Sequence, residues 1–500
     1  MKPIRWHFAI EHLWGLTALV GVFIFVNTHP IRPQDFWWHM AVGREILSSG
    51  KIPTTDIYSY TAAGQPYPSY QMFWLMDVTL YAIYRLGGPA LVVFIHSLIV
   101  TSAYFVIFWL CRQASHSWRV AASGVIFAAA LGLNDWNVRP QGITFLLGSL
   151  FLLAIYSYRN KPRLGWLIVL PVGMLLWVNS HGTFIIGLAL VGIWLGDEAW
   201  KIIKAYYDHQ EGVNIKALLA PGGMLGITAL VCLLNPRGPG IISYIKTLTS
   251  NSAVQNLVIE WAPPTLNSLF GALFLVGLLV SAVVLAISPR RPNFFELATF
   301  LIFGLLGLKT SRGIVWFGMT MAPILAQHLS ALANQIDKQD KTRIRTGGSR
   351  VLNVVFVMLL LLLGIISLPW FKSALPLPTM KAGLISAETP VLATQALLDQ
   401  KPPGHVFHAM SFGSYLIWAA YPEYQVFVDS RIELYATKTW VDYIEISNAS
   451  GDWMSRLDDY GVNTLMLSAV EQPGLLQAVQ ASGEWVMEYQ DPAATIFVRK

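Results

Sequence analysis

Long apolar runs alternate with short polar ones from the N-terminus to about residue 375, and then the alternation stops. A helix that crosses the hydrocarbon core of a bilayer needs about 20 apolar residues. Runs near 8–27, 89–110, 120–135, 142–158, 164–180, 183–200, 217–235, 267–288, 294–310, 313–331 and 351–371 meet or approach that length. They predict an α-helical polytopic membrane protein with about 11 spans. The first polar loop, 28–88, is long and aromatic. Its last part, 71–86, contains Asp77 and ends Arg85-Leu86-Gly87-Gly88-Pro89. We read 71–86 as a helix lying along the outer surface, because a span there would invert every later loop. Beyond Glu388 no long apolar run remains. Strands are expected at His405–His408, Gln425–Val428, Asn463–Leu467 and Thr495–Val498, and helices at 389–399, 412–421, 437–448 and 471–482. Alternating strands and helices predict a small α/β domain. The chain then divides into a polytopic membrane domain, 1–375, and an α/β domain, 376–500.

Composition agrees with the pattern. Apolar residues make up 54% of the 500 residues and charged residues 12%, against roughly 25% charged in soluble domains. Mean hydropathy is +0.51. The net charge of +6 needs no nucleic-acid partner, since cytoplasmic loops of membrane proteins collect Lys and Arg. With Lys2 and Arg5 inside, the inner loops hold Arg112 and Arg119; Arg159, Lys161 and Arg163; Lys201 and Lys204; Arg290 and Arg291; and Lys338, Lys341, Arg343, Arg345 and Arg350. That alternation places the N-terminus in the cytoplasm and the α/β domain outside a cell (inner) membrane. Met1–Val26 has a positive start and no small-x-small cleavage site, and is read as a retained first span. Cys111 and Cys232 lie in or beside apolar runs and imply no disulfide framework.

With this topology the unusual polar residues collect on the outer side: Asp35, His39 and Asp56, then Asn134 to Gln141 with Arg139, Asn179-Ser180-His181, Asn235-Pro236-Arg237, Glu260-Trp261, and Ser311-Arg312. Ionisable residues at membrane depth are costly and are functional candidates by default. The stretch Asp35-Phe36-Trp37-Trp38-His39 places a carboxylate just past the first span, beside rings suited to the interface. Asp35 is the candidate catalytic base. A carboxylate can take a proton from an attacking hydroxyl or amine, and arginine can hold phosphate oxygens bidentately. Arg139, Arg237 and Arg312 are the phosphate candidates. His39, Asp56 and His181 would orient an acceptor, Trp37, Trp38 and Tyr70 would pack against sugar rings, and Glu260 joins this substrate-binding set. Each residue also has a plainer reading. Asp35 can cap the helix starting at Phe36, His181 can simply end a span, Arg139 and Arg237 can be interfacial anchors, and Glu260 with Pro263-Pro264 can mark a turn. Asp429-Ser430-Arg431 fits a structural ion pair at least as well as chemistry.

The Asp35 to His39 stretch, Gly43-Arg44, Pro53, Asp56 and Ser59-Tyr60-Thr61, on a many-spanning body with an external C-terminal domain, resembles the GT-C membrane glycosyltransferases. That family includes protein mannosyltransferases, aminoarabinose transferases and oligosaccharyltransferases. The resemblance implies a GT-C-like fold, Asp35 as the first-loop catalytic carboxylate, and a polyprenyl-phosphate-linked sugar donor. It also implies inversion at the sugar carbon and a glycan, glycolipid or protein acceptor. Some members use a divalent metal, but no ligand cluster in the chain predicts one, and no other cofactor is expected. The chain departs from the family in three ways: no second acidic residue beside Asp35, no Pro-Pro-Leu run after the first loop, and no Trp-Trp-Asp motif in the external domain. The last argues against transfer of whole oligosaccharides to asparagine. Two other readings stay open, a non-catalytic lipid-carrier-binding assembly protein and a transporter or flippase. A transporter calls for polar residues along a mid-membrane path and paired repeats.

Overall fold

The computed structural model describes residues 9–209, 214–244, 259–337 and 349–500. Lys2, Arg5, Lys338, Lys341, Arg343 and Arg345 lie outside the described residues. Helices form over every apolar run: α1 Ile10–Asn27, α3 Tyr70–Ser115, α4 Trp118–Gly132, α5 Gly142–Asn160, α6 Leu164–Val178, α7 Ile185–Tyr207 and α8 Leu219–Val231, then Leu269–Ile287, Phe294–Lys309, Ile314–Asp337 and Arg350–Ile366. A shorter helix, α2 Phe36–Ser49, lies in the first loop. Seven helices among the described residues are long and apolar enough to cross a membrane, and Leu164–Val178 and Arg350–Ile366 are apolar but shorter. Many of their outward-facing side chains are exposed leucine, isoleucine and valine, such as Leu230, Val276 and Leu301. Such faces are stable only against lipid.

Consecutive helices run back and forth between two polar ends. At one end Arg159 pairs with Asp197 at 2.6 Å, the Phe295 amide donates to Asp197, and Ser330 donates to the Ser115 carbonyl. At the other, Trp74 Nε1 donates to Asn179 Oδ1 at 2.8 Å and Asn235 Nδ2 donates to the Val178 carbonyl at 2.9 Å.

Helix α3 is two limbs. Gly87 and Gly88 leave helical geometry, Gly88 at φ +63°, just before Pro89. Only glycine takes a left-handed turn there without strain, and proline suits the first turn of the new helix. Residues 70–86 are thereby set apart from the limb that follows. They pack instead on α2, where Gly43 permits contact: a Cβ there would sit 2.1 Å from the Asp77 carbonyl oxygen.

The C-terminal region carries a four-stranded sheet, β1 His405–His408, β2 Val462–Leu467, β3 Trp485–Gln490 and β4 Thr495–Arg499, in the order β1-β2-β4-β3. β1 and β2 are parallel, and the other pairs are antiparallel. Helices Val391–Gln400, Met410–Ala419, Thr437–Ser447, Trp453–Asp459 and Pro473–Ser482 complete it. Two expectations need correction. Gln425–Val428 does not join this sheet. Val426 bridges Ser59 of the first loop instead, its amide donating to the Tyr58 carbonyl at 3.0 Å. Its apolar run is buried, as a strand's would be, but its partner is far away in sequence. β3 carries no strand signal in the sequence: five of its six positions are exposed or half-buried, without clean alternation.

The first loop packs into the core of the C-terminal region. Trp38, Val42, Tyr58, Tyr67 and Tyr70 share one apolar cluster with Phe407, Leu416, Phe427 and Leu465. Burying each such side chain contributes about 1.5–3 kcal/mol, so the boundary drawn at 375 separates chain segments but not cores. Ile31 adds a backbone clasp, donating to Leu384 and accepting from Ser386, both at 2.8 Å.

Candidate active site

Four separate turns bring their charges to one place. Asp35 ends the clasped segment and begins α2. Its backbone is already helical, and its side chain makes no capping bond. The carboxylate instead faces Arg139, whose Nη1 lies 3.3 Å from Asp35 Oδ2. Arg139 comes from the turn before α5 and also holds Glu260 bidentately, at 2.5 and 3.1 Å. Arg312, from the 3-10 turn Ser311–Gly313, donates to the same Glu260 at 2.7 and 2.8 Å. The Glu260 and Arg312 turns are pinned together: Ser311 donates through its amide and its hydroxyl to the Ala262 carbonyl. The planar guanidinium fork suits two-oxygen partners, and here each arginine is shared.

Exposure separates this cluster from a sealed ion pair. The side chains of Asp35, Arg139, Glu260 and Arg312 retain 23%, 12%, 21% and 24% of their accessibility. Burial would raise the Glu260 carboxyl, but Arg139 and Arg312 outweigh it and hold it far below the usual range. Burial opposes the charge of Arg139, and Glu260 with Asp35 more than restores it. Beside them Asp135 is buried, with one oxygen accepting from Gln141 at 3.3 Å and the other lacking a partner. Burial, then repulsion from Glu260, pushes its carboxyl up to about 7. Asp135 lies in the outer stretch from which the sequence suggested only Arg139. Burial and Glu260 set it apart, because together they outweigh the nearby Arg139 and Arg312.

The remaining candidates fall into other groups. His39 stacks on Trp38 and bonds through Nδ1 to Asp77 at 2.7 Å. Burial, with His181 and Arg139 nearby, holds His39 well below the ordinary imidazole range. His181 begins the short turn Gly182–Phe184, its Nδ1 accepting from the Thr183 amide at 3.1 Å while its ring faces Phe73. Burial, then Arg312 and Arg139, lowers it to about 3, which makes it a neutral imidazole near the cluster. Arg237 bonds to the Gly240 carbonyl and lies over Tyr244. Trp37 and Tyr70 have no accessible surface and Trp38 has 4%, so their rings pack against protein in this structure. Trp37 meets Tyr415 and Trp418 of the C-terminal region edge-on or tilted.

Asp56 and Tyr70 belong to a buried network around Arg431. That guanidinium reaches Asp56 at 2.5 Å, Asp429 at 2.6 and 2.8 Å, and the Tyr70 hydroxyl. The Asp56 carboxylate also accepts from the Ser59 amide and hydroxyl at 2.9 and 2.5 Å. Glu433 extends the joint, accepting from Tyr67 and Ser69 at 2.8 and 3.0 Å. Of the readings open for Asp429-Ser430-Arg431, the geometry is that of a structural ion pair joining the C-terminal region to the first loop. Asn179 and Asn235, noted among the outer-side polar residues but given no role there, tie residues 70–75 to the ends of α6 and α8. Among the described residues no group of three or more His, Cys, Asp or Glu is arranged to hold a metal ion.

The chain matches no protein-family model and no curated protein. Among solved structures it is similar to the arabinofuranosyltransferase AftD from Mycobacteria, with a TM-score of 0.54 at 12% identity, covering 98% of this chain and 40% of AftD. A mutant form of AftD gives 0.57 at 12% identity, over 98% and 42%. ArnT from Cupriavidus metallidurans bound to undecaprenyl phosphate gives 0.49 at 15% identity, over 97% of both chains. The chain thus spans about two-fifths of AftD. Identities this low speak to the fold alone: the chain shares a fold with AftD, in keeping with the fold that the first-loop resemblance implied.

Proposed function

We propose that this multi-pass membrane protein is a glycosyltransferase that moves a sugar from a polyprenyl-phosphate-linked donor to an acceptor on the side of the C-terminal domain. The observation that carries the reading is Asp35, a part-exposed carboxylate that caps nothing and faces a shared arginine. In the reaction an acceptor hydroxyl or amine attacks the anomeric carbon and gives its proton to Asp35. The bond from that carbon to the phosphate oxygen breaks with inversion, and the lipid phosphate leaves with the bonding electron pair. Arg139 and Arg312 stabilise the charge that develops on it. Their present partner, Glu260, holds both guanidinia in place, so a donor phosphate would share them with Glu260. The fold shared with AftD, an arabinofuranosyltransferase by name, supports sugar transfer. It leaves the choice between hexose and pentose to experiment. In this reading the N-terminus is cytoplasmic and the C-terminal domain lies outside the inner membrane.

The test uses purified protein in lipid, wild type beside Asp35→Asn, incubated with a panel of polyprenyl-phosphate sugars, with and without envelope glycolipid extract. Release of polyprenyl phosphate by wild type alone is expected. Equal release by both proteins would remove Asp35 from the chemistry. Binding without release in both would favour the carrier-binding assembly protein.

A further inference from the structure

A second concentration of positive charge lies at the same polar end as Asp35, where α1 ends and the last membrane helix stops. It contains Arg32, Lys372 and Lys381. Among the described residues none of these three has an ion-pair partner, in contrast to Arg139 and Arg312. Lys372 sits in the short turn Pro369–Ala374 and is 1% exposed, and its Nζ has no hydrogen-bond partner. An unpaired buried ammonium costs several kcal/mol. Burial, and then Lys381, brings it down to about 8. Asn27, fully buried at the end of α1, leaves both its amide nitrogen and its amide oxygen unsatisfied. Lys381 lies over Phe25, whose ring meets His29, and the Ile31 clasp to Leu384 and Ser386 brings Arg32 to the same segment; after burial, Lys381, Arg32 and Lys372 all disfavour protonation of His29. Native structures rarely leave so many buried polar atoms unmet unless a group absent from the protein meets them.

An apolar groove of about 290 Å³ runs between α1, α3 and Arg350–Ile366. Leu19, Phe23, Thr101, Leu361, Ile365 and Leu368 line it. Leu368 lies four residues before Lys372, so the groove opens at the foot of the cation cluster. Its shape suits one section of hydrocarbon chain, and the cluster suits an anionic oxygen-rich head with the chain attached.

We propose that Arg32, Lys372, Lys381 and Asn27 form a headgroup site for a phosphate-bearing anionic lipid whose chain occupies the groove between the first and last membrane helices. The ligand is a lipid rather than free phosphate because an open apolar groove ends at Phe23 and Leu368, each four residues before a member of the cluster, Asn27 and Lys372. Phosphate oxygens would satisfy Lys372 and the Asn27 amide nitrogen, and Arg32 and Lys381 would hold the head from the aqueous side. The site is distinct from the Asp35 cluster and does not depend on the transfer reaction proposed above.

The test is native mass spectrometry of the full chain released from nanodiscs of phosphatidylcholine with a minor share of phosphatidylglycerol. Wild type is expected to retain phosphatidylglycerol in clear excess over its share. The double variant Arg32→Gln with Lys381→Gln should lose about tenfold of that preference, roughly 1.4 kcal/mol. Gly364→Leu should lose it too, with every cation intact. Gly364 lines the groove, and a Cβ there meets nothing within 4 Å, so the new side chain starts from open space beside the groove. Equal retention of the two lipids by wild type, or an unchanged preference in both variants, overturns the proposal. Displacement by inorganic phosphate combined with indifference to Gly364→Leu would assign the cations to free phosphate and equally refute the lipid site.

Discussion

The Asp35–Arg139–Glu260–Arg312 cluster and the Asp56–Arg431–Asp429 cluster use the same side chains at similar distances, and they differ in what surrounds them. Arg431, Asp56 and Asp429 are sealed, with no side-chain exposure. Tyr70, Tyr435 and Ser59 fill the remaining hydrogen-bonding positions. Such a site has no place for another ligand. The first cluster keeps between 12% and 24% of its surface open, and each arginine divides its donors. Buried ion pairs gain little net stability but are expensive to break, which suits a joint between two parts of a chain. Open, shared pairs can exchange one carboxylate oxygen for a substrate oxygen at small cost, which suits chemistry. Charge alone does not separate the two roles. Exposure and the number of unmet bonds do.

The largest test of that contrast is Asp35→Asn. Loss of a general base should cut sugar transfer by about 100- to 10,000-fold while the melting temperature stays put. A fall in melting temperature that matches the lost activity would make Asp35 a structural residue like Asp56. Arg431→Met should do the reverse. It leaves Asp56 and Asp429 buried without a cation, at a cost of about 3–5 kcal/mol. Limited proteolysis should then cut the first loop and the C-terminal region, with activity lost alongside folding. A protease-resistant but inactive Arg431→Met protein would move Arg431 into the chemistry. Arg139→Ala should weaken donor binding more than acceptor binding, lowering transfer by about 100- to 1,000-fold, as for a lost oxyanion donor. Equal donor affinity in the variant and wild type would end the phosphate role of Arg139.

A smaller effect is expected at Gly43→Ala, where the new methyl group must push α2 off the Asp77 carbonyl for about 1–3 kcal/mol. That movement would also displace Asp35 at the head of the same helix, so stability and transfer should fall together. The last is pH-dependent. Asp135 has a folded pKa of about 7, above its unfolded value of roughly 3.9. Its contribution to stability is therefore full below about pH 4 and is lost as pH rises toward 7, by at most about 1.4 kcal/mol per pH unit. Asp135→Asn should flatten this part of the melting-temperature profile. A profile unchanged by the substitution would show that Asp135 ionises normally.

The sequence by itself determined the membrane body, because burial in lipid demands long apolar helices and leaves that demand in composition and spacing. It also singled out Asp35, Arg139, Glu260 and Arg312, since a charge at the mouth of an apolar run stands out in one dimension. Three β-strands of the C-terminal region were readable from short apolar runs bounded by turns. What it could not determine were pairings between distant segments. Val426 looks like a strand of its own domain, yet its partner is Ser59. Asp56 and Tyr70 look like site residues, yet Arg431 claims them across the chain. Lys372 and Asn27 look unremarkable in sequence, and only the fold leaves their polar atoms buried and unmet. Local pattern sets which residues leave water. Tertiary structure decides what they meet there, and for a buried charge the partner sets the role.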